Sequence, residues 1–165
     1  MYKRQLCASH GFVNAYEQSK YEAELLVRAS DLPWLVLRSS TIVCDDITGA
    51  VTQLNAVHRA LRVFHNGMAA LMPGTEDTPV DLVTTAHVAQ GVAELGMGRG
   101  QIGGTYHLCA GSGALPLGQL LDGAYQVWAR DRDWLRRGIS RPALTDLDTY
   151  RLFEQSVEEL SLIHI

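Results

Sequence analysis

The sequence predicts an α/β fold, a largely parallel sheet with helices packed against it. Three observations carry that expectation. Segments with apolar residues at helical spacing alternate along the chain with short segments of unbroken apolar character. Trp34-Leu35-Val36-Leu37, resumed after Arg38 by Thr41-Ile42-Val43, reads as a strand buried on both faces, as in a parallel sheet. The 165 residues are 47% hydrophobic and 19% charged, which is globular composition with ample material for a core.

In chain order, Ala15 to Ala29 is the first predicted helix. Tyr21, Leu25 and Leu26 supply its apolar stripe, Glu17, Glu22 and Glu24 load its early turns with negative charge, and Asp31-Leu32-Pro33 stops it. After the apolar strand, Thr48-Gly49 marks a turn and a helix start. The helix to follow has its apolar face at Val51, Leu54, Val57, Leu61 and Phe64. Met72-Pro73-Gly74 opens a polar loop that runs to Pro79, Val80 to Val83 is a short strand, and Ala86 to Leu95 a helix. Glycines from Gly96 to Gly104 form a surface loop, Gly104 to Cys109 a buried strand, and Leu117 to Ala129 a helix. Arg130 to Arg141, mostly arginine among its charges, is expected to be a solvated surface segment, and Thr145 to Leu160 a closing helix.

The length fits one domain or part of a larger one, and no internal repeat is visible. Met1 to Gln5 and Ser161 to Ile165 resemble translated linker sequence, so the domain is expected to span 6–160 as a piece of a longer protein. A net charge of −4 without a basic stripe argues against nucleic acid as partner. No run of eighteen apolar residues offers a membrane span, and no signal peptide opens the chain. Cys7, Cys44 and Cys109 lack any metal-ligand spacing and read as free, buried thiols in a reducing cytoplasm.

The chemistry concentrates in Tyr16-Glu17-Gln18-Ser19-Lys20. Lys20 is one of two lysines among 14 basic residues, and on a helix it shares a face with Tyr16. Six tyrosines and two lysines would give about 0.07 such spacings by chance. A phenol is a poor acid or base at neutrality, and a fixed positive charge nearby moves it toward the working range. An ammonium on a long stem also donates readily to sugar hydroxyls. The plainer alternative is an amphipathic helix in which Tyr16 packs on its neighbours and Lys20 pairs with Glu17 or Glu24.

Asn14 to Glu24, then Leu37-Arg38-Ser39-Ser40-Thr41-Ile42-Val43, then Asp45 to Gly49, together resemble the C-terminal half of extended short-chain dehydrogenases/reductases. The branch they are most similar to is that of thioester reductases and fatty-acyl reductases, where a helix beginning Tyr-Glu-x-Ser-Lys precedes a strand ending Arg-Pro-Ser. Thr105-Tyr106-His107-Leu108 resembles that branch's penultimate strand, and the likeness covers most of residues 12–122.

The resemblance implies a partial Rossmann-type parallel sheet with flanking helices and a small C-terminal substrate-binding region. It implies NADP or NAD as cofactor and a small-molecule or carrier-bound acyl partner, an acyl thioester or aldehyde. Tyr16 would exchange a proton with the substrate oxygen, Lys20 would activate Tyr16 and hydrogen-bond the nicotinamide ribose, and Tyr16, Lys20, Ser39, Ser40, Thr41 and Ile42 would contact the cofactor. The family's catalytic Ser or Thr and its glycine-rich pyrophosphate turn are expected upstream, since Ser9 stands too close to Tyr16 and the glycines here do not follow a strand–turn–helix order. The chain alone is therefore expected neither to bind cofactor tightly nor to turn over. Alternatives of the same fold are a nucleotide-sugar epimerase or dehydratase and a non-catalytic nucleotide-binding protein. Ser39 stands where the family has proline, Cys44 where glycine is common, and Thr84 to His87 where Pro-Val-Asp-Tyr is usual.

Other polar residues read as structural. His107 is expected to be a core histidine, His58 and His65 share a helix face without a third ligand, and Asp45 and Asp46 cap the helix near Thr48. Arg38 contacts a phosphate or pairs with an acidic neighbour, the second being the structural reading.

Overall fold

A computed structural model of the chain describes residues 11, 12 and 14–162, with side chains through 157. In chain order the elements are helix α1 (Ala15–Ala29), strands β1 (Val36–Ser39) and β2 (Thr41–Ile42), and helix α2 (Ala56–His65). Strands β3 (Leu71–Pro73), β4 (Pro79–Val80) and β5 (Leu82–Val83) follow, then helix α3 (Thr85–Glu94) running into a π-helical turn at Leu95–Arg99. Strands β6 (Thr105–Leu108) and β7 (Leu115–Pro116), helices α4 (Leu117–Trp128) and α5 (Arg132–Arg136), strand β8 (Ala143–Thr145) and helix α6 (Leu147–Leu162) complete the chain. The architecture is α/β. Strands pair as β1–β6, β2–β5, β3–β8 and β4–β7; β2–β5 and β3–β8 are parallel, β4–β7 antiparallel. Among the described residues no helix is long and apolar enough to cross a membrane.

Two compact units divide the chain: Met1–Arg38 with Gln90–His107, and Ser39–Ala89 with Leu108–Ile165. In the first, α1 has the predicted bounds because both ends are written into the sequence. The Asn14 side chain accepts the Glu17 N–H at 2.9 Å, and the chain leaves the helix at Ser30, ahead of Pro33. Val36, Leu37 and Arg38 of β1 are half-buried and Ser39 is exposed, which corrects the expectation of a strand buried on both faces. β6 is the partner of β1 among the described residues, and the Val36 N–H donates to the Gly104 carbonyl at 3.0 Å.

His107 of β6 is exposed while Leu108 beside it is buried, so strand alternation puts this histidine outside the core where it was expected. Gly104 is required by close approach: a Cβ there would stand 2.6 Å from the Gln101 carbonyl and 2.7 Å from the Tyr106 ring. Gly104→Ala is expected to destabilise this unit by about 1–3 kcal/mol, read as a lower urea midpoint at unchanged slope.

The second unit holds the main apolar core. Phe64 of α2 meets Leu117 and Leu121 of α4, with Leu61, Met72, Val80, Trp128 and Leu144 packed around them. α2 starts at Asn55 rather than near Thr48. The Asn55 side chain accepts from the Val57 and His58 N–H groups, and the Asn55 N–H donates to His58 Nδ1 at 3.2 Å, a reciprocal cap. Thr48 lies instead in a turn in which Asp45 Oδ1 accepts both its N–H and its hydroxyl at 2.7 Å. Those bonds hold the Asp45 carboxyl below its ordinary value, and they spend the side chain expected to cap a helix. Val51 and Leu54 consequently lie outside α2 and are exposed.

Leu71–Pro73, expected as the opening of a loop, is a strand. Its partner Ala143–Thr145 is far along the chain, and Gly74 takes over the ladder that Pro73 cannot continue, donating to the Thr145 carbonyl at 2.8 Å. The arginine-rich stretch is not wholly solvated either. Within it Trp134 is 5% exposed, stacked among Tyr125, Trp128 and His65, and its Nε1 donates to the His65 carbonyl at 2.8 Å. Cys44 and Cys109 are free thiols, half-buried rather than buried as expected, and Cys7 lies outside the described residues.

Candidate active site

One stripe of α1 carries the candidate chemistry. Tyr16, Lys20, Glu24 and Arg28 follow one another at four-residue spacing, so each stands about one turn beyond the last. The Lys20 ammonium lies 5.4 Å from the centroid of the Tyr16 ring, within cation–π reach. Tyr16 is 69% exposed, open to a molecule in solution. The first turn is pinned twice, by the Asn14 cap and by the Ser19 hydroxyl, which donates to the Tyr16 carbonyl at 2.8 Å.

Lys20 is not paired with Glu24. That carboxylate is taken by arginines: Arg38 approaches it with Nη2 at 2.6 Å and Nε at 3.1 Å, and Arg28 with Nη2 at 2.9 Å. Arg28 also donates to the Thr105 hydroxyl at 2.6 Å and stacks over the Trp34 ring at 5.1 Å. Arg38 thus has the structural role read from the sequence, and α1 is tied to β1 by the Glu24–Arg38 ion pair and to β6 by the Arg28–Thr105 hydrogen bond.

The Arg38 bond holds the Glu24 carboxyl below its ordinary value, against the opposing effect of burial, with Arg28 adding to it. A depressed carboxylate stabilises the fold above its unfolded-state value, and that contribution fades as pH falls through the folded-state value. Glu24→Gln is therefore expected to cost about 2 kcal/mol at neutral pH. The two proteins should converge below the ordinary carboxylate range, as thermal unfolding at several pH values will show.

Ser39, Ser40, Thr41 and Ile42 belong to the second unit. Ser40 is spent on the scaffold: its N–H donates to the Leu108 carbonyl at 2.9 Å and its hydroxyl to the Asp81 carbonyl at 2.6 Å. Thr41 and Ile42 lie in register with Leu82 and Val83, and Ser39 is exposed. Cys44 contributes its carbonyl to the start of α3, accepting the Thr85 N–H at 2.9 Å.

Ser9 lies outside the described residues. The positive-φ glycines Gly98, Gly103 and Gly111 sit in turns whose next element is not a helix built for pyrophosphate. Cavities of about 570 Å³ beside Asn66, Arg137 and Ser140 and about 360 Å³ beside Leu61, Leu120 and Trp128 lie within the second unit. Among the described residues no group of His, Cys, Asp or Glu side chains can hold a metal ion. What sequence reasoning missed is the Arg28–Glu24–Arg38 clamp, although the four-residue repeat from Tyr16 to Arg28 announces its helix half.

A family model described as male sterility protein, of the NAD(P)-binding kind, matches residues 3–92. No curated protein and no solved structure matches the chain.

Proposed function

The chain belongs to the male sterility protein family, which is NAD(P)-binding and reductase-like, and from that premise we propose an oxidoreductase that reduces an acyl thioester or the derived aldehyde. The observation that carries the reading is the Lys20 ammonium set over an exposed Tyr16 on one helix face. The donor set fits a nicotinamide nucleotide, because Lys20 has N–H groups to spare for ribose hydroxyls and its competitor Glu24 is occupied. A nicotinamide held there would be the source of hydride for the reduction. Tyr16, with the Lys20 ammonium set against its ring, would deliver its phenolic proton to the carbonyl oxygen.

The test is spectrophotometric. The longest reading frame that carries this chain is expressed and incubated with NADPH or NADH and acyl thioesters of several chain lengths. Loss of the reduced-nicotinamide absorbance that depends on thioester supports the assignment. Absence of that loss with every thioester and aldehyde, together with heat released on titrating sugar nucleotides, would replace it with the epimerase or dehydratase reading.

A further inference from the structure

We propose that Arg38 is a positioning residue for the Tyr16–Lys20 pair, acting through Glu24; the inference rests on the functional reading above and adds a regulator to the same site. The geometry is a competition along one helix face. Lys20 has a phenol ring one turn before it and a carboxylate one turn after it, and either can take the ammonium at four-residue spacing. In the structure the ring has it, at 5.4 Å.

The reason lies on the strand. Arg38 of β1 brings two N–H groups to Glu24, one to each oxygen, and Arg28 occupies Oε1 from the other side. A guanidinium matches a carboxylate with parallel donors, which a single ammonium cannot do. Glu24 is also the less exposed partner, at 19% against 28% for Arg38, so the pair is shielded from solvent competition. Among the described residues Lys20 forms no ion pair with it. Removing Arg38 leaves one face of a half-buried carboxylate without a donor, and Lys20 is the cation one turn away. The ammonium then swings from ring to carboxylate, and the phenol loses its neighbouring charge. Glu17, one turn before Lys20, and Tyr21 beside it are the same in every variant below, so neither can account for a difference.

The experiment reads Lys20 directly. The Lys20 ammonium lies over the Tyr16 ring, so the adjacent ε-methylene protons are expected to resonate upfield of a free lysine, and Lys3 is the chain's other lysine, identified by Lys3→Gln. In the 165-residue chain, Arg38→Met is expected to shrink that displacement roughly two- to fivefold, the scale of an exchange between two weak partners. The double variant Arg38→Met/Glu24→Gln is expected to restore it, because no carboxylate remains to compete. An unchanged displacement in the single variant overturns the proposal. So does a displacement lost in both variants, which would mean that Arg38 only stiffens the helix.

In the longest reading frame, turnover number should follow the same order, down in the single variant and recovered in the double, with KM steady. Turnover indifferent to Tyr16→Phe would sink the functional reading alone, since the proton spectra test the positioning without any substrate.

Discussion

Tyr16→Phe is expected to lower turnover by about 10²–10⁴-fold in the longest reading frame, with nicotinamide affinity nearly unchanged. The substitution removes one oxygen from an exposed ring and leaves the ring itself. The Lys20 contact is with the ring centroid and survives, as do the Asn14 cap and the Ser19 bond to the backbone carbonyl of residue 16. What is lost is the proton donor for the developing alkoxide. The effect should therefore fall on kcat rather than on cofactor binding, and thermal unfolding should not move. Wild-type turnover in the variant would show that the phenol takes no part.

The largest stability effect is expected at Trp134. Trp134→Ala should cost about 3–5 kcal/mol, because a buried indole leaves a cavity that a five-residue helix between turns cannot collapse to fill. Its ring centroid lies 5.7 Å from those of both Tyr125 and Trp128, so those two side chains lose a neighbour as well. The His65 carbonyl loses its donor in addition. Trp134→Phe keeps much of the ring contact and gives up the hydrogen bond, so a smaller loss of about 1–2 kcal/mol is expected. Urea denaturation of both variants decides the matter. Losses below about 1 kcal/mol for alanine would mean that the segment is solvated, as its charge pattern suggests.

The contrast between these two sites shows what a sequence makes visible. α1 was legible to the residue because its determinants are local: Asn14 at one end, Pro33 beyond the other, and glutamates in the early turns. The Tyr16–Lys20 face was legible for the same reason, since four-residue spacing fixes which side chains are neighbours on a helix.

Trp134 was hidden because five arginines around it dominate the local composition, while the partners that bury it come from α2 and α4. The start of α2 was misplaced because its cap uses His58 where a Glu or Gln would have been recognised, and Thr48-Gly49 offered a more familiar signal. The β3–β8 pair was missed because a three-residue parallel strand ending in proline has no local signature; its register is set by residues about seventy positions away. Arg38 was read as an ion-pairing residue, yet its partner could not be chosen from several glutamates without knowing which turn of α1 faces β1.

The distribution of indoles makes the two halves separately observable. Trp34 stands under the Arg28 guanidinium in one unit, while Trp128 and Trp134 share the aromatic cluster of the other. A cation against one chromophore and close-packed rings around the other two give each a distinct emission. Trp34→Phe therefore silences the optical reporter of one half without touching the other's, and denaturant titrations of the two proteins reveal whether both halves melt in concert or in sequence.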